Sequence, residues 1–378
     1  MILKWRISIL LFSIVLGFLT FFNYNHRIYD WDMPGYIGSM YKIGQTHSEE
    51  QIRELTYLAI KKEAPADHYK DIDGTQPYDK VRIDFTNDTR AFAEQMPYFQ
   101  IKVGYVFVVK LLHLLGLSTP MSVLGLSLIS YFITGILLFY LSKIIVPNNV
   151  YIAFAFSLLV MILPPMLYMA RVSTPDMFIF QFLILFMIGI FKKWSALKMF
   201  FLLLLITFIR PDYVTFGLSY LGALGLFILI KQKKIEYHLV AQGIALVILN
   251  FAIMKYYNYP GWKDLFYDSF IQRRSFVSTD PMLFTWKGYF SIIYIKIIYF
   301  KKITLTVSLL LFAIFFMSKD LWVRILSCLF FCNVYIKFLF FPESGALRFF
   351  FVFVALLLIM LLSVLAKKYN GFKLNKIA

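Results

Sequence analysis

The sequence predicts an all-α, polytopic helical membrane protein with about ten transmembrane helices. Three observations carry this. The 378 residues are 60% hydrophobic, with a mean hydropathy of +0.71, well above a soluble domain. Apolar runs of about twenty residues recur, each long enough to cross about 30 Å of hydrocarbon. The runs are continuous rather than alternating, which excludes a β-barrel. The net charge of +17 sits in short lysine-rich loops between those runs. That is the pattern of cytoplasmic loops and not of nucleic-acid binding, so nucleic acid is excluded as a partner and the lipid bilayer is the expected surroundings.

The first span is placed at 7–23. Lys4 and Arg6 precede it, no small-residue cleavage site follows, and it reads as a retained signal anchor. Further spans are placed at 122–141, 150–169, 176–191, 196–211, 213–231, 238–256, 303–317, 321–341 and 349–366. Lys143, Lys192, Lys193, Lys198, Lys231, Lys233, Lys234, Lys319, Arg324, Lys367 and Lys368 then share one side. The positive-inside rule makes that side cytoplasmic, together with both termini. The expected setting is the bacterial inner membrane. The chain reads as a single membrane domain, 1–378, without a 20–50-residue repeat.

Residues 24–121 form the first extracytoplasmic loop. Ser48-Glu49-Glu50-Gln51 is a capping box that starts a helix, with Ile52, Leu55, Leu58 and Ala59 as its apolar face. Acids open that helix and Lys61-Lys62 close it, matching the macrodipole. The polar, Asp-rich stretch 65–90 predicts an irregular loop, in which Asn87-Asp88-Thr89 fits a glycosylation triplet. Residues 99–116 are apolar, but Lys102, Lys110 and His113 share an arc of about 80° at 100° per residue, which predicts a helix lying in the interface. Residues 285–302 are expected to be interfacial or re-entrant. Cys328 and Cys332 read as small core residues, and the His residues lack metal-ligand spacing.

Charge at membrane depth marks a working cavity, and the candidates fall at helix ends on the side away from the lysines. Asp30 and Asp32 follow the first span; such a pair can accept a proton, hold a divalent cation or bind sugar hydroxyls. Trp31 and Tyr36 beside them offer flat faces. A solvated helix end with an aromatic belt is the plainer alternative. Arg171 and Asp176 flank Val172-Ser173-Thr174-Pro175, and Arg210 and Asp212 bracket Pro211. These are either parts of the same site or structural ion pairs. Pro164-Pro165, Pro175 and Pro211 all disrupt backbone near that side, which is tolerated where broken helices line a cavity. Glu343 and Arg348 border a short turn, and Arg binds phosphate through its planar fork. Lys102 can bind a phosphate, or simply lipid headgroups.

The order and sidedness of these motifs resemble the GT-C glycosyltransferases, membrane enzymes that use polyprenyl-phosphate sugars. Asp32-Met33-Pro34-Gly35-Tyr36 looks like that family's acid with a Tyr four residues later. Leu114-Leu115-Gly116-Leu117-Ser118 resembles its turn before the second span. Ala170 to Asp176 looks like its second outer loop, and Arg210-Pro211-Asp212 and Leu347-Arg348-Phe349 resemble its later Arg motifs. The resemblance implies a GT-C-like fold and inverting transfer of a sugar from a polyprenyl-phosphate donor to a glycan or lipid-linked acceptor. In it Asp32 is the base, Asp30 assists, and Tyr36, Lys102, Arg171, Asp176, Arg210, Asp212, Glu343 and Arg348 bind substrate. A divalent metal is compatible with the acid pair. The family's soluble C-terminal domain, found where the acceptor is protein, has no counterpart in the chain. A transporter or flippase of lipid-linked saccharides and a membrane glycan polymerase are the alternatives. The first expects midplane charges and repeated halves; the second expects its large loop late in the chain.

Overall fold

The computed structural model describes residues 2–44, 46–75, 79–343 and 347–372. Those residues form helices and connections, with no strand among them. The chain opens on α1 (Ile2–Asn25) and then runs through a helical loop: α2 (Met33–Lys42), α3 (Glu49–Glu63), α4 (Ala66–Asp73), α5 (Lys80–Asn87), α6 (Thr89–Gln95), α7 (Pro97–Gln100) and α8 (Val103–Leu114). The bundle continues with α9 (Thr119–Ile145), α10 (Val150–Met161), α11 (Pro164–Arg171), α12 (Asp176–Phe191), α13 (Ala196–Ile209), α14 (Val214–Gln232) and α15 (Tyr237–Tyr256). A second loop carries α16 (Trp262–Phe270). The chain closes with α17 (Trp286–Tyr299), α18 (Lys301–Met317), α19 (Leu321–Phe340) and α20 (Arg348–Lys368).

Six of these are long and apolar enough to cross a membrane: α1, α9, α14 with its 3-10 lead-in from Pro211, α15, α19 and α20. Two broken pairs pass the same test together, α10 with α11 (bent by 59°) and α17 with α18 (bent by 69°), which raises the number to eight if each pair is one span. The first bend falls where Pro164 and Pro165 cannot continue a helix, as the sequence led us to expect. Of the ten predicted spans, 150–169 is therefore a bent pair, 303–317 is the second limb of another, and 176–191 and 196–211 are shorter apolar helices. Side-chain caps start several of the helices. Ser118 accepts from Met121 N (3.3 Å), Asn149 from Ile152 N (3.1 Å) and Ser195 from Lys198 N (3.4 Å).

Helix α12 is the centre of the bundle. Most of its side chains are buried, and it packs on α9, α13 and α20. Helices α1 and α15 lie outermost and keep apolar residues such as Phe18 and Phe251 exposed. The lysine-bearing helix ends come together. Lys143 lies over Trp5 (5.4 Å), Lys192 bonds the Tyr140 hydroxyl, Lys367 pairs with Asp320 (3.3 Å), and Phe227 packs on Trp322. The acid-bearing ends therefore meet at the opposite end of the bundle.

The fold departs from expectation in three ways, two of them in the first loop. Residues 65–90 are not irregular: they hold α4 and α5 and lead into α6. Two of their aspartates, read as loop formers, are helix caps. Asp79 accepts from Arg82 N (3.3 Å) and Asp88 from Ala91 N (2.8 Å). Gly74, at φ 72°, ends α4 in the left-handed region that favours glycine. Asn87-Asp88-Thr89 is thus a helix end followed by a cap. The capping box at Ser48 and Gln51 forms as predicted, but the buried face of α3 is Ile52, Thr56, Tyr57 and Ile60. Leu58 is left 66% exposed, because tertiary contacts rotate the buried arc toward Phe92. Finally, Cys328 is half-buried and Cys332 exposed, so the pair does not belong to the core.

Candidate functional site

Six side chains from six helix ends form one chain of alternating charge at the acid-bearing end. Asp32 stands just before α2, where an aspartate usually caps the helix. It makes no cap hydrogen bond and turns to Arg348, whose Nη2 lies 3.1 Å from Asp32 Oδ2. Arg348 Nε lies 3.6 Å from Asp176 Oδ2. Asp176 also pairs with Arg210 and accepts from the Thr174 hydroxyl at 2.9 Å. Arg210 Nε reaches Asp212 at 2.9 Å, and Asp212 reaches Lys337 Nζ at 2.7 Å.

The local helix chemistry explains some of these placements and not others. Asp176 at the start of α12 and Lys337 in the last turn of α19 suit their helix dipoles. Arg348 does not, because it is a cation at the first position of α20. A residue that opposes its own helix must be held there by something else. The two carboxylates it bridges supply that.

Asp30 plays a different part from Asp32. Its Oδ1 accepts from Asp32 N (3.1 Å) and its Oδ2 from Ser173 N (3.0 Å), which ties the loop after α1 to the loop before α12. Burial and the neighbouring Asp32 push the Asp30 carboxyl up to about 7, against the pull of Arg348. On Asp32, the second carboxylate oxygen accepts no hydrogen bond among the described residues. It is therefore the carboxylate oxygen left open at this end of the bundle.

Lys102, at the N-terminal edge of α8, is held differently. Its ammonium bonds the Tyr98 carbonyl and lies 5.6 Å from the Tyr36 ring and 5.2 Å from the Phe99 ring. It makes no ion pair with a carboxylate among the described residues. Burial, with Arg210 adding repulsion, pushes it down to about 8, against the attraction of Asp32, Asp212 and Asp176. Tyr36 is buried at 3% exposure between Phe99 and Tyr105, so its ring is a packing element rather than an open face.

Most of the predicted residues thus converge, and one does not. Arg171 turns to the end of α1, where its Nε bonds Asn23 Oδ1 (2.7 Å) and its guanidinium lies over Phe22 (5.1 Å). It makes no ion pair with an acid among the described residues. Glu343 lies in the turn before α20, its amide bonded to the Phe341 carbonyl (2.8 Å). Ser344, Gly345 and Ala346 of that predicted motif lie outside the described residues. Two cations outside that set also bear on the acids, Lys337 through Asp212 (2.7 Å) and Arg273 within electrostatic reach of Asp32. Lys337 was legible as a lone lysine within an apolar span. Arg273, in the second loop, carried no such signal, since arginines in polar loops are ordinary.

The donors do not fit a divalent metal. Both Asp30 oxygens are taken by backbone amides and one Asp32 oxygen faces a guanidinium, which leaves a single open carboxylate oxygen between the two acids. No group of three or more metal-ligating side chains gathers among the described residues. No family model, no curated protein and no solved structure matches this chain.

Proposed function

We propose that this is a GT-C-type glycosyltransferase that moves a sugar, with inversion, from a polyprenyl-phosphate donor to a glycan or lipid-linked acceptor. The observation that carries the reading is the pairing of an open carboxylate with an unneutralised cation at one bundle end. Among the described residues Asp32 has an oxygen to spare, and Lys102 close by makes no ion pair. A transfer of this kind needs both. The carboxylate takes the acceptor hydroxyl's proton as that oxygen attacks the anomeric carbon. The bond from that carbon to the phosphate oxygen breaks, and the electron pair leaves on polyprenyl phosphate. Lys102 offsets the departing charge. Arg348, anchored by Asp176, holds Asp32 in place. Arg210 and Lys337 are committed to Asp212 and Asp176, and they set the frame rather than meet the phosphate.

In this reading the chain crosses the bilayer ten times, by six straight spans, two bent pairs, and α12 and α13. Both termini are cytoplasmic, and the site opens to the far side of a bacterial inner membrane. Gathering of the lysine-bearing ends supports that orientation through the positive-inside rule. The long first loop, with α3 and α8 at headgroup level, guides a lipid-borne donor sideways toward Asp32.

The test is transfer from a panel of polyprenyl-phosphate sugars by purified protein in nanodiscs. Asp32→Asn should lower turnover by about 10²–10⁴-fold, the usual cost of losing a general base. Near-wild-type turnover in the folded variant would remove Asp32 from the chemistry. Saccharide movement without transfer would favour a transporter.

A further inference from the structure

Nearly every arginine in the outer loops is balanced. Arg82 pairs with Asp71 (2.5 Å) and Asp79 (2.7 Å), and Arg274 with Asp264 (2.8 Å) and Asp268 (2.7 Å). Arg273, next to Arg274 in sequence, has no ion pair and no hydrogen bond among the described residues. Its guanidinium carbon lies 3.5 Å from the Trp31 ring centroid and 5.7 Å from that of Phe85. Its Nε is sealed from solvent without an acceptor. An unpaired guanidinium nitrogen in such a place is costly. Burial lowers Arg273 to about 10, and Asp32 acts against that shift, so the two charges lie within electrostatic reach.

The guanidinium borders a cavity of about 20 Å³, walled by Trp31, Pro34, Phe85, Gln95 and Phe99. Gln95 is 3% exposed, and its Nε2 also lacks an acceptor. A cavity of this size holds about one water, so it fits a small oxygen-bearing group and not a sugar ring. Two donors without acceptors meet there under aromatic walls. A guanidinium seated over an indole face can still bond an oxyanion through its nitrogens. Trp31 adjoins Asp32, so a group bound here would hang from a molecule whose hydroxyl faces the base.

We infer that Arg273 and Gln95, framed by Trp31 and Phe85, form a subsite for an anionic substituent on the acceptor saccharide, a carboxylate or a phosphate. The anion enters the cavity edge and bonds the guanidinium, while its sugar ring rests outside against Trp31. The inference rests on Asp32 as the base of glycosyl transfer. It gives the second loop a function that packing does not require, since Arg274 already anchors that loop through Asp268 and Tyr98 (2.8 Å).

Binding measured apart from turnover tests this. Wild-type protein in nanodiscs is titrated with three soluble probes: a hexuronic acid trimer, a glycerol phosphate trimer and a neutral glucose trimer. At least one acidic probe should bind about tenfold or more tightly than the neutral one, about 1.4 kcal/mol. The acidic probe that wins identifies the anion. Arg273→Gln should abolish that preference, Arg273→Lys should keep part of it, and Gln95→Leu should weaken it while leaving the cation in place. Asp32→Asn should leave the preference intact. Equal binding of all three probes by wild-type protein would overturn the inference, as would a preference that survives in folded Arg273→Gln. Should the acidic preference hold while no donor supports transfer, the subsite stands and the glycosyltransferase reading falls.

Discussion

Asp176→Asn is the sharpest probe of the charged frame. Asp176 is 3% exposed and holds two cations, Arg210 directly and Arg348 at 3.6 Å. At an effective dielectric constant near 20, a unit pair at that separation attracts by about 4.6 kcal/mol. Desolvation of the partners offsets much of this, and breaking a buried pair from one side typically costs about 3–5 kcal/mol. The asparagine leaves two guanidiniums facing each other with one carboxylate fewer between them. Thermal unfolding in nanodiscs should therefore drop by several degrees. The second half of the test is a double-mutant cycle. Arg348→Gln alone leaves Asp176 and Asp32 short of a cation. Combined with Asp176→Asn, it removes both halves of one contact, so the double variant should be more stable than the two single losses added together, by about 1 kcal/mol or more. Simple additivity, or an Asp176→Asn variant that unfolds within about 1 °C of wild type, would show that the alternating chain does not act as a unit.

Further expectations follow from single placements. Asp30 titrates near 7 and Lys102 near 8, so kcat/KM should rise through about pH 7 and fall beyond about pH 8. The stability signs are opposite to the usual ones. The fold favours protonated Asp30, whose contribution is full below about pH 4 and is lost as pH rises through about 7. It also disfavours charged Lys102, so stability gains between about pH 8 and 10.5. A single-limbed or flat activity profile across that range would separate these groups from turnover. Arg171→Gln should keep turnover within about threefold of wild type, since its guanidinium bonds Asn23 (2.7 Å) and not the acids; a loss as large as a base knockout would place it in the site. Ser48→Ala removes half of the capping box of α3 and should cost about 1 kcal/mol, read as faster amide exchange confined to residues 49–63.

The amino-acid sequence by itself determined the class of the fold. Apolar runs longer than the hydrocarbon is thick permit little but helices, because backbone groups in lipid must bond within their own segment. It also determined the helix breaks at Pro164 and Pro211, the start of α3 at Ser48, and the sorting of lysines from aspartates along the chain. Those features are local, set by residues within a turn of one another. What only the tertiary structure decided is which charges meet. Arg171 and Arg210 look alike in sequence, each near a proline and an aspartate. Yet Arg210 faces two carboxylates, and Arg171 is drawn off by Asn23 at the end of α1. Asp30 and Asp32 look like a pair. Backbone amides from two loops take one and Arg348 takes the other, and the roles separate. Arg273 comes against Trp31 from more than two hundred residues away. No periodicity or spacing encodes that contact, because it depends on how two loops fold over one end of the bundle.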